Sequence, residues 1–209
     1  MIPLWRSPWP RDAALERLTH NRGAGSTAMR VEATHISECS CSSAIALPIH
    51  RGWFTELHNE ARLRELGFDV RFVQDNLSYS APGVLRGLHF QRNPEQGKLV
   101  TCLAGRIYDV AVDIRPGSST FGSHVAVELT AEGGESLWVP AGFAHGFLVI
   151  GSETALVAYK VDHHRSASGE GGIIWNDPTI GIRWPIETPH LSDRDQAMPT
   201  LAEYLSSER

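Results

Sequence analysis

From residue 30 onward the chain repeats one pattern: short runs rich in Val, Ile, Leu, Phe and Thr, broken every eight to twelve residues by Gly, Pro, Asn or Ser. That spacing suits strands joined by turns and leaves little room for helices. Strands are expected at 30–36, 44–49, 71–80, 84–91, 97–104, 106–114, 123–130, 136–139, 144–150, 154–162 and 172–175. One stretch differs: NEARLREL, Asn59 to Leu66, has a polar cap residue, good helix formers and Gly67 behind it, and predicts a helix. Ala104-Gly105 and Pro140-Ala141-Gly142 supply tight connections between β-like runs. Many short strands with a few short helices predict an all-β sandwich or jelly-roll barrel.

At 209 residues the chain can bury one substantial core, and residues 29–209 read as a single domain. Residues 1–28 read differently. Pro3, Pro8 and Pro10 break the first stretch, Arg11 to Leu18 suits a short helical turn, and NRGAGST has linker composition, so a flexible extension with little core contact is expected there. With 42% hydrophobic and 21% charged residues and a net charge of -5, the chain is not of disordered type, and nothing in it points to nucleic acid. The absence of an 18-residue apolar run or a signal-type apolar core argues against a membrane span and for a cytoplasmic location. Cys39, Cys41 and Cys102 are odd in number and include a C-S-C pair, which indicates neither a disulfide framework nor a zinc site.

Chemistry concentrates in GVLRGLHFQ, Gly83 to Gln91. Read with period two, Leu85, Gly87, His89 and Gln91 share one face and Val84, Arg86, Leu88 and Phe90 the other, so one strand can place His89 inside a pocket. A histidine on a mainly apolar strand is more often structural, and His89 needs partners before it counts as a base. A second signal, WVPAGFAHGFLV, delivers His145 through a P-x-G-x-x-H turn onto the next strand. Together the two segments resemble the half-motifs of the cupin superfamily, whose metal-binding members carry H-x-H with a Glu on the first half and a His on the second. Here the first half reads His89-Phe90-Gln91. One histidine from each half falls short of the three or four ligands a metal wants, so a cupin-like barrel without a catalytic metal is expected.

The longer runs FVQDNLSYSAPGVLRGLHFQ, QGKLV, DVAVDIRPGSSTFG, LWVPAGFAHGFLV, TALVAYK, IIWNDPTIGIRWP and LSDRDQAMP resemble the dTDP-4-dehydrorhamnose 3,5-epimerase family over about residues 44 to 200. The resemblance implies a jelly-roll homodimer, no cofactor, and a dTDP-linked 4-keto-6-deoxy sugar as substrate. Epimerising a carbon beside a ketone requires a base on one face, stabilisation of the enolate oxygen, and an acid on the opposite face. On the family's pattern His89 is the base, Asp195 the carboxylate that orients it, with Asp193 two residues away as its rival, Lys98 the enolate stabiliser and Tyr159 the acid. A tyrosine is an unusual acid, because its ordinary pKa is about 10. Arg51, Arg86 and Lys98 would meet a pyrophosphate. Glu56, Gln74, Asp75 and Asn76 match nucleotide positions, Glu170 and Arg194 match further binding positions, and His145 falls in the sugar pocket beside His89. The segment 44–57, carrying Arg51 and Glu56, is expected to cross to a partner barrel.

Two departures matter. His50 stands where the family often has an acid, and Val161-Asp162-His163-His164-Arg165 replaces a threonine-rich run ending in paired tyrosines. The second leaves open whether C3, C5 or both are epimerised. A single-centre epimerase, a sugar-nucleotide ketoisomerase, a non-catalytic nucleotide-sugar binder and a metal-dependent oxygenase stand as alternatives; the RGLH, QGK and AHGF set with Tyr159 argues against the ketoisomerase, and the joint presence of His89, Lys98, Tyr159 and Asp195 against the binder.

Overall fold

The computed structural model describes residues 29–44, 47–49 and 52–207, with no side chains described for 45–53. The segment 1–28 and Arg51 therefore lie outside the described residues. Strands β1 (Arg30–Ala33), β2 (Ser40–Ser43), β10 (Glu135–Val139), β7 (Lys98–Ala104), β12 (Ala155–Val161) and β5 (Gln74–Ser80) pair in that order as a six-stranded sheet. Strands β13 (Glu170–Gly172), β6 (Leu85–Gln91), β11 (Phe143–Val149), β8 (Arg106–Asp113) and β9 (His124–Thr130) form a five-stranded sheet, and β3 (Leu47–Ile49) pairs with β4 (Gly52–Phe54). The ladders are antiparallel, the arrangement expected of a jelly roll.

Strand alternation splits the interior in two. Val100, Cys102, Leu137, Val139, Ala155 and Val157 from the six-stranded sheet meet Ile107, Ala111, Val125, Leu129, Phe143, Phe147 and Val149 from the five-stranded one. The residues between them on β8, β11 and β6, among them Val110, Val112, Ala144, Leu88 and Phe90, turn to the opposite face, where Ile173, Ile180, Leu201 and Tyr204 cover them. The C-terminal segment is thus a lid over the back of the five-stranded sheet.

Helix α1 (Glu60–Glu65) forms where expected: the Asn59 side chain caps its N-terminus, Leu63 is buried, and Gly67 behind it adopts φ +85°. Helices α2 (Asp193–Gln196) and α3 (Leu201–Ser207) had no sequence signal long enough to read. Of the strand expected at 44–49, β3 stands at Leu47–Ile49, and β2 at Ser40–Ser43 is an unexpected strand before it. SCSS has no apolar alternation to betray it, yet it bridges β1 and β10. The strand expected at 30–36 ends at Ala33, because the Thr34 hydroxyl is taken up by the carbonyls of Ile36 at 2.8 Å and Cys39 at 3.0 Å and turns the chain.

One irregularity shapes the site. Along β11 and β6, His145 faces His89 but Phe147 faces Arg86, so three steps on β6 oppose two on β11. The extra residue is a β-bulge at Gly87–Leu88. It overturns the strict period-two reading of this strand: Arg86 and His89 line the same pocket instead of opposite faces. Gly87 makes the bulge possible. Its φ is +137°, and a Cβ there would stand 2.5 Å from the Gly146 Cα. Gly87→Ala is expected to destabilise the protein by about 2 kcal/mol or more, seen as a melting temperature lower by about 4–8 °C. An unshifted melting curve would mean that the two strands separate freely.

Candidate active site

At one end of the barrel the inward-facing residues change from apolar to polar, and they enclose a cavity of about 250 Å³. Strand β6 supplies Arg86, His89 and Gln91, β7 Lys98, β11 His145, β12 Tyr159, and β5 Asn76 and Ser78. His89 and Tyr159 come from different sheets.

The His89 Nε2 lies 2.6 Å from Asp195 Oδ1, with the Asp195 side chain 5% exposed and His89 35%. The one-turn helix α2 brings the carboxylate in from 106 residues away, and Ser192 caps that helix by accepting from the Asp195 N–H at 3.1 Å. Burial pushes the Asp195 carboxyl upward, but the hydrogen bond and charge of His89, with help from Ser192 and the Gly87 backbone, bring it below its usual range. Asp193 is exposed, so the choice between the two acids goes to Asp195.

Lys98 sits in the cavity wall, where burial pulls its ammonium down to about 8 against the opposing pull of Glu170 and Asp109. Burial pushes the Tyr159 phenol well above its ordinary value, opposed by the Ser78 hydrogen bond and by the Arg86 charge. The Tyr159 hydroxyl is 2.9 Å from Ser78 Oγ. His145 also has a carboxylate partner: its Nε2 is 2.7 Å from Asp109 Oδ1, and Asp109 is wholly buried. Two carboxylate-anchored histidines thus stand on neighbouring strands as register partners.

Gln91 occupies the position where a cupin metal site would want another histidine. Its amide donates to the carbonyls of Pro94 at 2.9 Å and His164 at 3.1 Å and accepts from the Ser166 N–H at 2.7 Å. With both ends committed, it serves as a brace for the 163–166 segment, to which Gln96 adds a bond to the His163 carbonyl at 2.6 Å. Among the described residues no group of three or more His, Cys, Asp or Glu is arranged to hold a metal.

The rim is cationic. Glu170 pairs with Arg165 at 2.5 Å and Arg194 at 3.0 Å, and Arg86 lies nearby. Burial opposes the charge of Glu170, but the two guanidiniums bring its carboxyl below the usual range. One carboxylate against Arg86, Lys98, Arg165 and Arg194 leaves a mouth suited to an anionic ligand.

The family model for dTDP-4-dehydrorhamnose 3,5-epimerase matches residues 33–203. The chain belongs to this family. A dTDP-4-dehydrorhamnose 3,5-epimerase of Salmonella typhimurium is 52% identical over 161 residues, covering 76% of this chain and 87% of that one. The crystal structure of dTDP-6-deoxy-D-glucose-3,5-epimerase from Legionella pneumophila, in complex with dTDP-4-keto-L-rhamnose, superposes with a TM-score of 0.80 at 45% identity, covering 83% of this chain and 93% of that one. A 3'-monoepimerase from Streptomyces bikiniensis, in complex with dTDP-quinovose, gives a TM-score of 0.77 at 32% identity, covering 84% and 90%. These neighbours share the cupin-like barrel expected from the half-motifs.

Within this epimerase-family barrel, His89, Lys98, Tyr159, His145, Asn76, Arg86, Glu170 and Arg194 converge on one cavity, and Asp195 stands behind His89. Gln74 is at the edge, bonded to Asn76 at 2.6 Å and to the Arg165 N–H at 3.2 Å. Two expected binding residues stand outside the cavity of the single chain. Asp75 faces outward and pairs with Lys160 at 2.9 Å, and Glu56 pairs with Arg62 at 2.6 Å. Sequence reasoning missed Asp109, Ser78 and Gln96. Asp109 had a readable signal, since an acid in the middle of the apolar run IYDVAVD must find a buried partner.

Proposed function

We propose that the protein epimerises a dTDP-linked 4-keto-6-deoxyhexose at C3 and C5, without a cofactor. The observation that carries this reading is the placement of His89 and Tyr159 on different sheets across one cavity, with His89 backed by a buried carboxylate. An ionised Asp195 takes the Nε2–H of His89 and leaves the other ring nitrogen as the base. That nitrogen removes the proton beside the ketone, and the electron pair moves onto the C4 oxygen, where the Lys98 ammonium stabilises it. Tyr159 then returns a proton from the opposite face, the carbonyl re-forms, and the centre is inverted. The Arg86, Arg165 and Arg194 guanidiniums meet the pyrophosphate, which spends binding energy on holding the sugar between base and acid.

The product decides among neighbouring reactions. NMR of the sugar ring after incubation with the 4-keto-6-deoxyglucose nucleotide is expected to show both centres inverted. Inversion at C3 alone would assign the protein to the narrower activity named for the 3'-monoepimerase neighbour, and inversion at C5 alone to a C5-only epimerase. A migrated keto group would make it a ketoisomerase.

Because Lys98 works as a cation, activity should fall as pH rises through about 8. Tyr159 stays protonated over that range, so the alkaline limb of kcat/KM reports the lysine. Lys98→Arg, whose guanidinium keeps its charge, is expected to move that limb upward. A limb that stays in place would exclude Lys98 as its source.

The working unit is a homodimer in this reading. Edge strand β5 turns Leu77, 62% exposed, and Tyr79, 68% exposed, away from its own barrel, an apolar surface that suits a second copy. Glu56, which stands outside its own cavity, would then complete the partner's nucleotide site. Leu77→Asp with Tyr79→Asp is expected to give monomers in sedimentation and to weaken dTDP binding about tenfold or more. Monomers that bind dTDP as dimers do would refute the shared site.

A further inference from the structure

Strand β5 carries a residue with a role in the acid half of the reaction. Its inward row reads Gln74, Asn76, Ser78 and Ser80. Gln74 and Asn76 are bonded to each other at 2.6 Å, and Ser80 Oγ accepts from Arg86 Nε at 2.9 Å. Ser78 remains, and its hydroxyl meets the Tyr159 hydroxyl at 2.9 Å. The register places Asn76 directly opposite Tyr159 and Ser78 opposite Val157, so Ser78 reaches the phenol along the diagonal of the ladder. Arg86 is tied to the same strand by Ser80 and by a longer bond to the Tyr79 carbonyl at 3.4 Å. One strand therefore brings a hydroxyl and a guanidinium to the side of the cavity where the acid stands.

The chemistry needs the hydroxyl. When Tyr159 gives its proton to the sugar carbon, its O–H bond breaks, a C–H bond forms, the enolate electrons make that bond as the C4 carbonyl closes, and negative charge is left on the phenol oxygen. That charge appears in a buried place, with the wholly buried Asp109 carboxylate also nearby. A donor already in hydrogen-bond contact costs no reorganisation at that moment.

We infer that Ser78 is the positioning residue for the tyrosine acid: it aims the phenol hydroxyl in the resting site and donates its own hydrogen bond to the phenolate after proton transfer. The inference rests on the proposed epimerisation with Tyr159 as acid. No net proton leaves Ser78; solvent reprotonates Tyr159 after the product departs. The consequence is a specific imbalance. Without Ser78, removal of the sugar proton by His89 proceeds as before, and the enolate is returned from the His89 side, so hydrogen exchanges without inversion.

The test follows substrate and product by NMR in D₂O and takes the ratio of exchange without inversion to inversion. In Ser78→Ala the inversion rate is expected to fall about 10- to 100-fold, the worth of one hydrogen bond to a developing charge. Exchange should stay near the wild-type rate, so the ratio rises by the same factor. Ser78→Thr, which keeps the hydroxyl, should return the ratio to wild type, and calorimetry with dTDP should show unchanged affinity in both variants. If Ser78→Ala fails to fold, Ser78→Cys, a weaker donor of similar size, is read in the same way. Tyr159→Phe is the control. Should Tyr159→Phe raise the ratio while Ser78→Ala slows exchange and inversion equally, or neither, Ser78 has no role in the acid step and the inference is overturned alone. Should Tyr159→Phe leave the ratio at the wild-type value, Tyr159 is not the acid, and both readings fall together.

Discussion

His89→Asn is expected to lower kcat by about 10²- to 10⁴-fold, the range for loss of a positioned general base. The substitution keeps a side chain of similar reach and removes the ring nitrogen proposed to take the proton. Binding should survive, because the guanidiniums proposed to meet the pyrophosphate, those of Arg86, Arg165 and Arg194, stand on other positions of the cavity lining. The measurement is steady-state kinetics beside calorimetry with dTDP: a large fall in kcat with a nearly constant Kd. Proton exchange at the sugar should fall with turnover, in contrast to the outcome for Tyr159→Phe, where exchange persists. A variant that turned over normally would remove His89 from the chemistry and leave a binding protein on an epimerase fold.

Asp195→Asn is the second large effect, and it isolates orientation from basicity. The wild-type carboxylate sits 2.6 Å from His89 Nε2 and is held below its usual pKa range. It therefore fixes the proton on Nε2 and offsets the positive charge that forms when the other nitrogen takes a proton. An amide of the same shape can instead donate to Nε2, which places the ring proton on the nitrogen that should be basic. A loss of about 10²- to 10⁴-fold in kcat is expected, since the wrong tautomer disables the base as thoroughly as its removal. Stability gives a second readout. A carboxyl whose folded pKa is depressed stabilises the fold above its unfolded value of about 3.9 and loses that contribution as pH falls through the folded value. The wild type should therefore lose more melting temperature between pH 5 and the acid range, to about pH 2, than the Asn variant. Equal acid limbs would mean that the ion pair is not formed in solution.

The barrel was legible because alternation and turn residues mark most of its strands directly. The elements that escaped are those whose reason is tertiary. Ser40–Ser43 is a strand only because β1 and β10 flank it, and nothing in four small residues announces that. The same holds for α2, four residues long, whose whole purpose is to deliver Asp195. In the site, His89, Lys98, Tyr159 and Asp195 were readable through ordered family motifs, and the first three line one cavity, His89 from one sheet and Lys98 and Tyr159 from the other, with Asp195 behind His89. The relation of Arg86 to His89 was not readable. Period two separates them, and a single bulge residue at Gly87–Leu88, invisible in the apolar pattern, reunites them. Asp109 was legible in principle as a lone acid in an apolar strand, but its partner His145 lies 36 residues away and only the β8–β11 pairing joins them. Glu56 and Asp75 show the opposite limit: both match binding positions by motif, yet in the single chain they stand outside the cavity, paired with Arg62 and Lys160.

Placement of base and acid on opposite faces of the bound sugar is tested most directly by a single measurement: turnover of the dTDP-4-keto-6-deoxyglucose nucleotide in D₂O, with NMR assignment of every deuterium in the product. The predicted result is one deuterium at C3 and one at C5, each on an inverted centre, with none elsewhere on the ring. A product inverted at both centres but still carrying protium there would contradict a solvent-exchanging acid opposite His89, and binding with neither deuterium nor inversion would contradict epimerisation itself.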